Sequence, residues 1–173
     1  MSAMTPAVAA ARRAGVEHRI HRYRADPRAR SYGDDAVEHL ADTLGVDAAQ
    51  IFKTLVLSLS GGGDAAGSRA RFAVAVLPVP RRLSPRAVVA ALSDPSVTRA
   101  ALAEPAAAQR VTGYVLGGVS PLGQRTALPT VIDASALAWP TILCSAGRRG
   151  LEIELAPADL RRLTDAVVAD ICS

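Results

Sequence analysis

The sequence predicts a mixed α and β domain built on a closed or nearly closed sheet. Three observations carry this. Residues 51–59, IFKTLVLSL, and the run RFAVAVLPV from residue 71 are apolar on both faces, as strands covered on two sides are. Helix start signals recur, at Thr5-Pro6 and at Ser84-Pro85. Half of the 173 residues are hydrophobic and 21% are charged, which is ordinary for a packed globule of this length.

The elements follow in order. Thr5 caps a helix through AVAAARRA, and Gly15 ends it. Residues 17–23, EHRIHRY, read as a polar, exposed strand, and ADPRARS as a loop. From Gly33 to Leu44, Val37, Leu40, Ala41 and Leu44 recur at helical spacing, with Gly45 as the stop. The two apolar strands are joined by SGGGDAAGS, residues 60–68, a turn of linker composition with no assigned function. Ser84-Pro85 opens a helix through RAVVAAL, and residues 95–110 are expected to hold short helical pieces broken at Pro95 and Pro105. Strands are expected at 112–116, 129–133 and 141–145 and in GLEIEL, with an amphipathic helix over 157–169. There is no internal repeat and no linker, so residues 1–173 are read as one domain with six or seven strands.

Composition excludes several function classes. No run of about 18 apolar residues escapes a charge or a break, so no membrane helix is expected. Arg12 and Arg13 interrupt the Ala-rich start, which argues against a secretory signal. Two cysteines, Cys144 and Cys172, make no disulfide framework, and a reducing cytosol is the simplest home. The net charge of +4 permits contact with phosphate without demanding it, and 3% aromatics argue against a broad base-stacking platform. His18, His21 and His39 share no metal spacing, and no metal or cofactor is expected. Cys144 lies in the apolar run TILC and reads as a small core residue, not a nucleophile.

Three features remain for chemistry. Lys53 is the only lysine among 20 basic residues. Period-two alternation puts it on the face of Ile51, Leu55 and Leu57. A lysine there either lines a cavity or snorkels out at the strand end. The loop GYVLGGVSPLG, residues 113–123, carries Gly117, Gly118, Ser120, Pro121 and Gly123. Such a loop can aim several N–H groups at one oxygen, or it is an ordinary glycine turn; it is neither a P-loop nor a dinucleotide fingerprint. In SAGRRGLEIE, residues 145–154, two glycines bracket Arg148 and Arg149, with Ser145 before and Glu152 after. The arginine pair is either a phosphate contact or a solvated turn. No nucleophile–base pair is visible, so an enzyme with these parts works by positioning and polarising.

At these residues the chain resembles the YbaK/EbsC family, free-standing relatives of the editing domain of bacterial prolyl-tRNA synthetase. The resemblance rests on TPAV at 5–8, HRYRADP at 21–27, FKTLV at 52–56 and QRVTGYVLGGVSPLGQR at 109–125. LPTVIDASA at 128–136 and SAGRRGLEIELAPADL at 145–160 complete it. It implies an α+β fold, a single domain with a mixed, partly barrel-like sheet flanked by helices. It implies hydrolysis of the ester of a mischarged Cys-tRNA(Pro), with the substrate's own thiol attacking and leaving as a thiolactone. By family motif, Lys53 is the residue most tied to activity. Tyr23, Gly117, Gly118, Ser120, Pro121, Gly123, Ser145 and Glu152 fall on the substrate-binding positions, and relatives often carry Asp where this chain has Glu152. Arg148 and Arg149 are the expected contacts near the tRNA 3′ end. The implied partners are mischarged tRNA(Pro) and prolyl-tRNA synthetase, and the implied compartment is the cytoplasm. The alternatives are an editor of another mischarged aminoacyl-tRNA, alanyl or seryl, and a non-catalytic module that binds aminoacyl-tRNA or the synthetase.

Overall fold

A computed structural model describes residues 4–29, 31–63 and 69–173. Residues 64–68 of the Gly-rich hairpin turn lie outside that set. The described elements run α1 (Pro6–Ala14), β1 (His18–Arg22), α2 (Tyr32–Leu44), β2 (Phe52–Ser60) and β3 (Arg71–Pro78). They continue with α3 (Pro85–Leu92), β4 (Arg99–Leu102), α4 (Pro105–Thr112), β5 (Thr130–Asp133), β6 (Ile142–Arg148), β7 (Leu151–Leu155), α5 (Pro157–Thr164) and β8 (Val167–Ala169).

The strands form two sheets. One is antiparallel, in the order β1-β7-β6; the other is mixed, in the order β4-β2-β3-β5-β8. A lone parallel bridge from Ile51 to Leu143 ties the start of β2 to β6. The expected mixed, partly closed sheet is thus found as two sheets tied by this bridge. The main core lies between the sheets. Phe52, Val56, Val74 and Val76 from one meet Ile142, Cys144, Leu151 and Ile153 from the other. A second cluster, with Leu57, Ala75, Leu77 and Ile171, fills the opposite face of the larger sheet beneath Val88 of α3. A third seats Ala36 and Leu40 of α2 on Ile51, Val79 and Leu143. Residues Phe72 to Pro78 of β3 are therefore all buried. That is why the strand reads as a continuous apolar run and not as an alternation.

Local chemistry sets the helix ends. Thr5 caps α1, accepting from the N–H of Val8, while its hydroxyl donates to the carbonyl of Ala146 in β6. One side chain thus starts the helix and fastens it to the smaller sheet. Ser31 caps α2, and Gly45 ends it at φ 65. The helix begins at Tyr32, one residue ahead of the expected Gly33.

Three expectations differ from the structure, each for a physical reason. Residues 112–116 form no strand: α4 runs to Thr112 and Gly113 closes it at φ 80. Tyr114 then turns inward, and its hydroxyl donates to the carbonyl of Leu122 at 2.6 Å. Residues 99–102 pair with the edge of β2 as β4, although their Ala-rich sequence reads as helix; pairing with a neighbouring strand overrides weak propensity. The closing helix stops at Thr164, because Asp165 adopts φ 50, and Val167–Ala169 join β5 as a parallel edge strand. These changes bring the described strands to eight.

Candidate active site

β2 starts where the two sheets meet, so its first residues are open on one side. There a cleft of about 390 Å³ forms between the first turn of α2, the start of β2, the loop at 116–119 and the outer face of the β6–β7 pair. Among its lining residues are Asp34, Lys53, Thr54, Gly117, Ser145 and Glu152.

Lys53 is half-buried at the cleft wall. Its Nζ donates to the carbonyls of Val79 at 3.1 Å and Arg81 at 2.7 Å, at the chain turn that follows β3. The ammonium therefore fastens that turn and keeps one of its three N–H donors for the cleft. Desolvation lowers its pKa, and the nearby Asp34 carboxylate pulls it back up. The cavity and the strand-end readings of Lys53 both contain part of the truth: the stem runs along an apolar face, and the head sits at the rim of a cavity.

Glu152 is the most unusual ionisable group of the site. It is 6% exposed, and its carboxylate has no hydrogen-bond or ion-pair partner among the described residues. Burial pushes its pKa up to about 8. Antiparallel pairing sets it directly opposite Ser145 on β6 and His21 on β1. His21 is already engaged by Glu154 at 2.6 Å. The Ser145 hydroxyl accepts from the N–H of Gly147 at 3.2 Å, which holds it toward the same face. Thr54 adds a second unmatched group: its Oγ1 is buried with no hydrogen-bond partner.

The glycine loop splits into two functions. Gly117 lines the cleft at φ 84. The N–H groups of Gly117 and Val119 meet no acceptor among the described residues, whereas that of Gly118 is bonded to Val115. The rest of the motif holds structure. Gly118 is buried against the backbone of Arg148, where a Cβ would come within 2.9 Å of its Cα. Ser120 is fully buried and accepts from the N–H of Leu122. Pro121 is buried beside it, and Gly123 sits on the start of α1, where a Cβ would collide with the Pro6 carbonyl.

Tyr23 stands behind the cleft wall. Its ring stacks on His39 at 5.6 Å, and burial first, then the charge of Glu152, pushes its phenol up to about 12. Arg148 is exposed at the end of β6. Arg149 donates to the Asp26 carbonyl at 2.8 Å and lies 4.3 Å over the ring of Tyr32. The structure thus brings Lys53, Gly117, Ser145 and Glu152 into one cleft. It places Tyr23 and Arg149 behind and beside that cleft. Tyr32, Asp34 and Thr54 escaped the sequence reading, though Thr54 directly follows the singled-out lysine. Cys144 is fully buried with its thiol pKa raised, as expected of a core residue.

The chain is similar to known proteins over most of its length. The model of the aminoacyl-tRNA editing domain matches residues 33–163. The chain is 33% identical over 136 residues to the Enterococcus faecalis (strain ATCC 700802 / V583) protein named "Putative Cys-tRNA(Pro)/Cys-tRNA(Cys) deacylase EbsC", covering 79% of this chain and 76% of that one. Two solved structures share the fold. The hypothetical protein APE2540 superposes with a TM-score of 0.75 at 23% identity, over 98% of this chain and 100% of the other. The structure titled "Crystal structure of a putative trans-editing enzyme for prolyl tRNA synthetase" gives 0.70 at 24% identity, over 98% and 99%. The chain belongs to the aminoacyl-tRNA editing domain family.

Proposed function

We propose that this chain, acting as one editing domain in the cytoplasm, deacylates mischarged Cys-tRNA(Pro) in trans, with the substrate's cysteine thiol as the nucleophile. One observation carries the reading: the cleft joins the cation Lys53 to unbonded N–H donors at Gly117 and Val119, with no histidine or cysteine among its described lining. Such a site can polarise an ester carbonyl and stabilise an oxyanion. No histidine or cysteine lines it to make the usual protein nucleophile. A thiol supplied by the aminoacyl group fills that gap.

The chemical need is clear. A synthetase pocket that admits proline rejects a slightly smaller amino acid by only about 1–3 kcal/mol per methylene, so a second site must remove the error. In this reading Lys53 and the N–H groups of residues 117–119 hold the ester carbonyl. Ser145 and Glu152 face the aminoacyl side chain. Arg148 and Arg149 meet the backbone near the 3′ end of tRNA(Pro), and prolyl-tRNA synthetase delivers the substrate. The name carried by the EbsC relative favours a cysteinyl ester.

The test is deacylation of Cys-tRNA(Pro), Ala-tRNA(Pro) and a seryl ester by the purified protein. Loss of the cysteinyl ester alone supports the thiol mechanism. Loss of the alanyl ester at a similar rate keeps the editing class and discards the thiol. No loss of any ester, with retained binding, leaves a binding module.

A further inference from the structure

A thiol that attacks a carbonyl must shed its proton, and the described lining of the cleft offers few places to put it. Lys53 is a cation held by two carbonyls. Asp34 is exposed at the cleft mouth, where solvent hydrates its carboxylate. The Tyr23 phenol, behind the wall, keeps its own proton. Glu152 remains. We propose that Glu152 is the general base of the reaction, taking the proton of the substrate's cysteine thiol. This rests on the thiol-dependent reading above.

Geometry comes first. Glu152 is 6% exposed yet lines the cleft, opposite Ser145. No N–H donor or cation among the described residues occupies its oxygens, which leaves them open to a group bound in the cleft. A structural buried carboxylate is paired or hydrogen-bonded. This one is neither, and its oxygens reach the cleft, whereas Thr54 Oγ1 in the same lining is fully buried without a partner. Two unmatched polar groups in one cleft point to a ligand that completes them.

The surroundings keep the base tuned. His21 flanks Glu152 on β1, tied to Glu154. Cys144 lies on β6 and Tyr23 behind the wall, both neutral and both coupled to the Glu152 charge. Lys53 on β2 and Asp34 on α2 line the cleft with it, while Asp35 is paired with His39. The resulting carboxyl titrates near 8, close to the thiol's ordinary value of about 8.5. Efficient proton transfer needs that match.

The step balances. The Glu152 carboxylate accepts the S–H proton as the sulfur–carbon bond forms. The tetrahedral oxyanion collapses, the bond from carbonyl carbon to ribose oxygen breaks, and Glu152 returns the proton to that oxygen. The products are tRNA with a free hydroxyl and a thiolactone, which water later opens. No oxidant or reductant is needed.

The experiment compares cysteinyl and selenocysteinyl esters of the same tRNA(Pro). A selenol is far more acidic than a thiol and is ionised at neutral pH, so its attack needs no base. Glu152→Gln is expected to lose about 10²-fold or more in kcat on the cysteinyl ester. On the selenocysteinyl ester it is expected to stay within a few-fold of wild type. Retained cysteinyl activity, or equal loss on both esters by a folded variant, overturns the assignment. If the Gln variant does not fold, Glu152→Asp and Glu152→Asn decide. They should differ tenfold or more on the cysteinyl ester and little on the other, and equal rates on the cysteinyl ester contradict the proposal. Wild type inactive on the cysteinyl ester would instead sink the thiol-dependent reading, and the base with it.

Discussion

The ring of Tyr32 lies flat over the backbone of Gly117: a Cβ built on that glycine would come within 2.8 Å of the ring. Arg149 covers the same ring. A tyrosine at the start of α2, a glycine in the loop at 117 and an arginine after β6 thus form one wall of the cleft. Gly117 also holds φ 84, where a side chain costs about 1–2 kcal/mol. Gly117→Ala is therefore expected to lower stability by that amount and deacylation by tenfold or more, because Tyr32 must shift into the cleft. Thermal unfolding and kcat/KM read the two effects. Unchanged values for both would mean that the wall is pliable.

Thr54 allows the opposite test. Its hydroxyl is buried without a partner, and such a group costs about 1–3 kcal/mol. Thr54→Val removes the hydroxyl and keeps the shape. The variant should be as stable as wild type or more so, by up to about 1 kcal/mol, yet weaker toward the aminoacyl ester in KM. A clear loss of stability would show that the hydroxyl is satisfied in solution.

Glu152 makes stability depend on pH with a definite sign. Burial holds its carboxyl at about 8 in the folded chain, against about 4.5 when the chain is unfolded. Between those values the unfolded chain has lost the proton that the folded chain keeps. The stability this group contributes is full below about 4.5 and falls as pH rises toward 8, by at most about 1.4 kcal/mol per unit. Glu152→Gln removes that slope. Urea unfolding should find the variant close to wild type at pH 5 and more stable than it at pH 8.5. An equal difference at both pH values would refute the burial argument.

The two arginines of the β6–β7 turn should behave differently. Arg148 is exposed and makes no ion pair among the described residues, so under the proposed function its guanidinium can meet a phosphate. Arg148→Ala should weaken tRNA binding and reduce the slope of log K against log salt by about 0.7–0.9. Arg149 also holds Tyr32 and the Asp26 carbonyl. Arg149→Ala should reduce the same slope and, in addition, impair turnover at saturating tRNA. Filter binding across a salt series, beside single-turnover rates, separates the two.

Much of the scaffold was legible because its signals are local. Thr5 and Ser84 are caps with a mechanism, and IFKTLVLSL and RFAVAVLPV are long enough to be unambiguous. The short edges were not. β4 is four residues of low β-propensity that exist only because β2 offers an edge, and β8 follows a left-handed Asp165 that no pattern marks. In the site, the lone Lys53 and the glycine turn that carries Ser145 and Glu152 could be read directly. The division of labour within GGVSPLG could not. Which glycine faces a cleft and which abuts α1 or Arg148 depends on long-range packing, and so does the Tyr32–Gly117–Arg149 wall.

The central claim is that Lys53 anchors a thiol-dependent deacylase, and the most direct measurement is hydrolysis of Cys-tRNA(Pro) beside Ala-tRNA(Pro) by wild type and Lys53→Ala. The variant gives up two charge-assisted hydrogen bonds to the turn after β3, worth about 1.5–3 kcal/mol each at most, so its fold is checked by thermal unfolding in parallel. The account predicts that wild type clears the cysteinyl ester and spares the alanyl one, and that the folded variant clears neither. Cysteinyl hydrolysis at an undiminished rate in Lys53→Ala would contradict it.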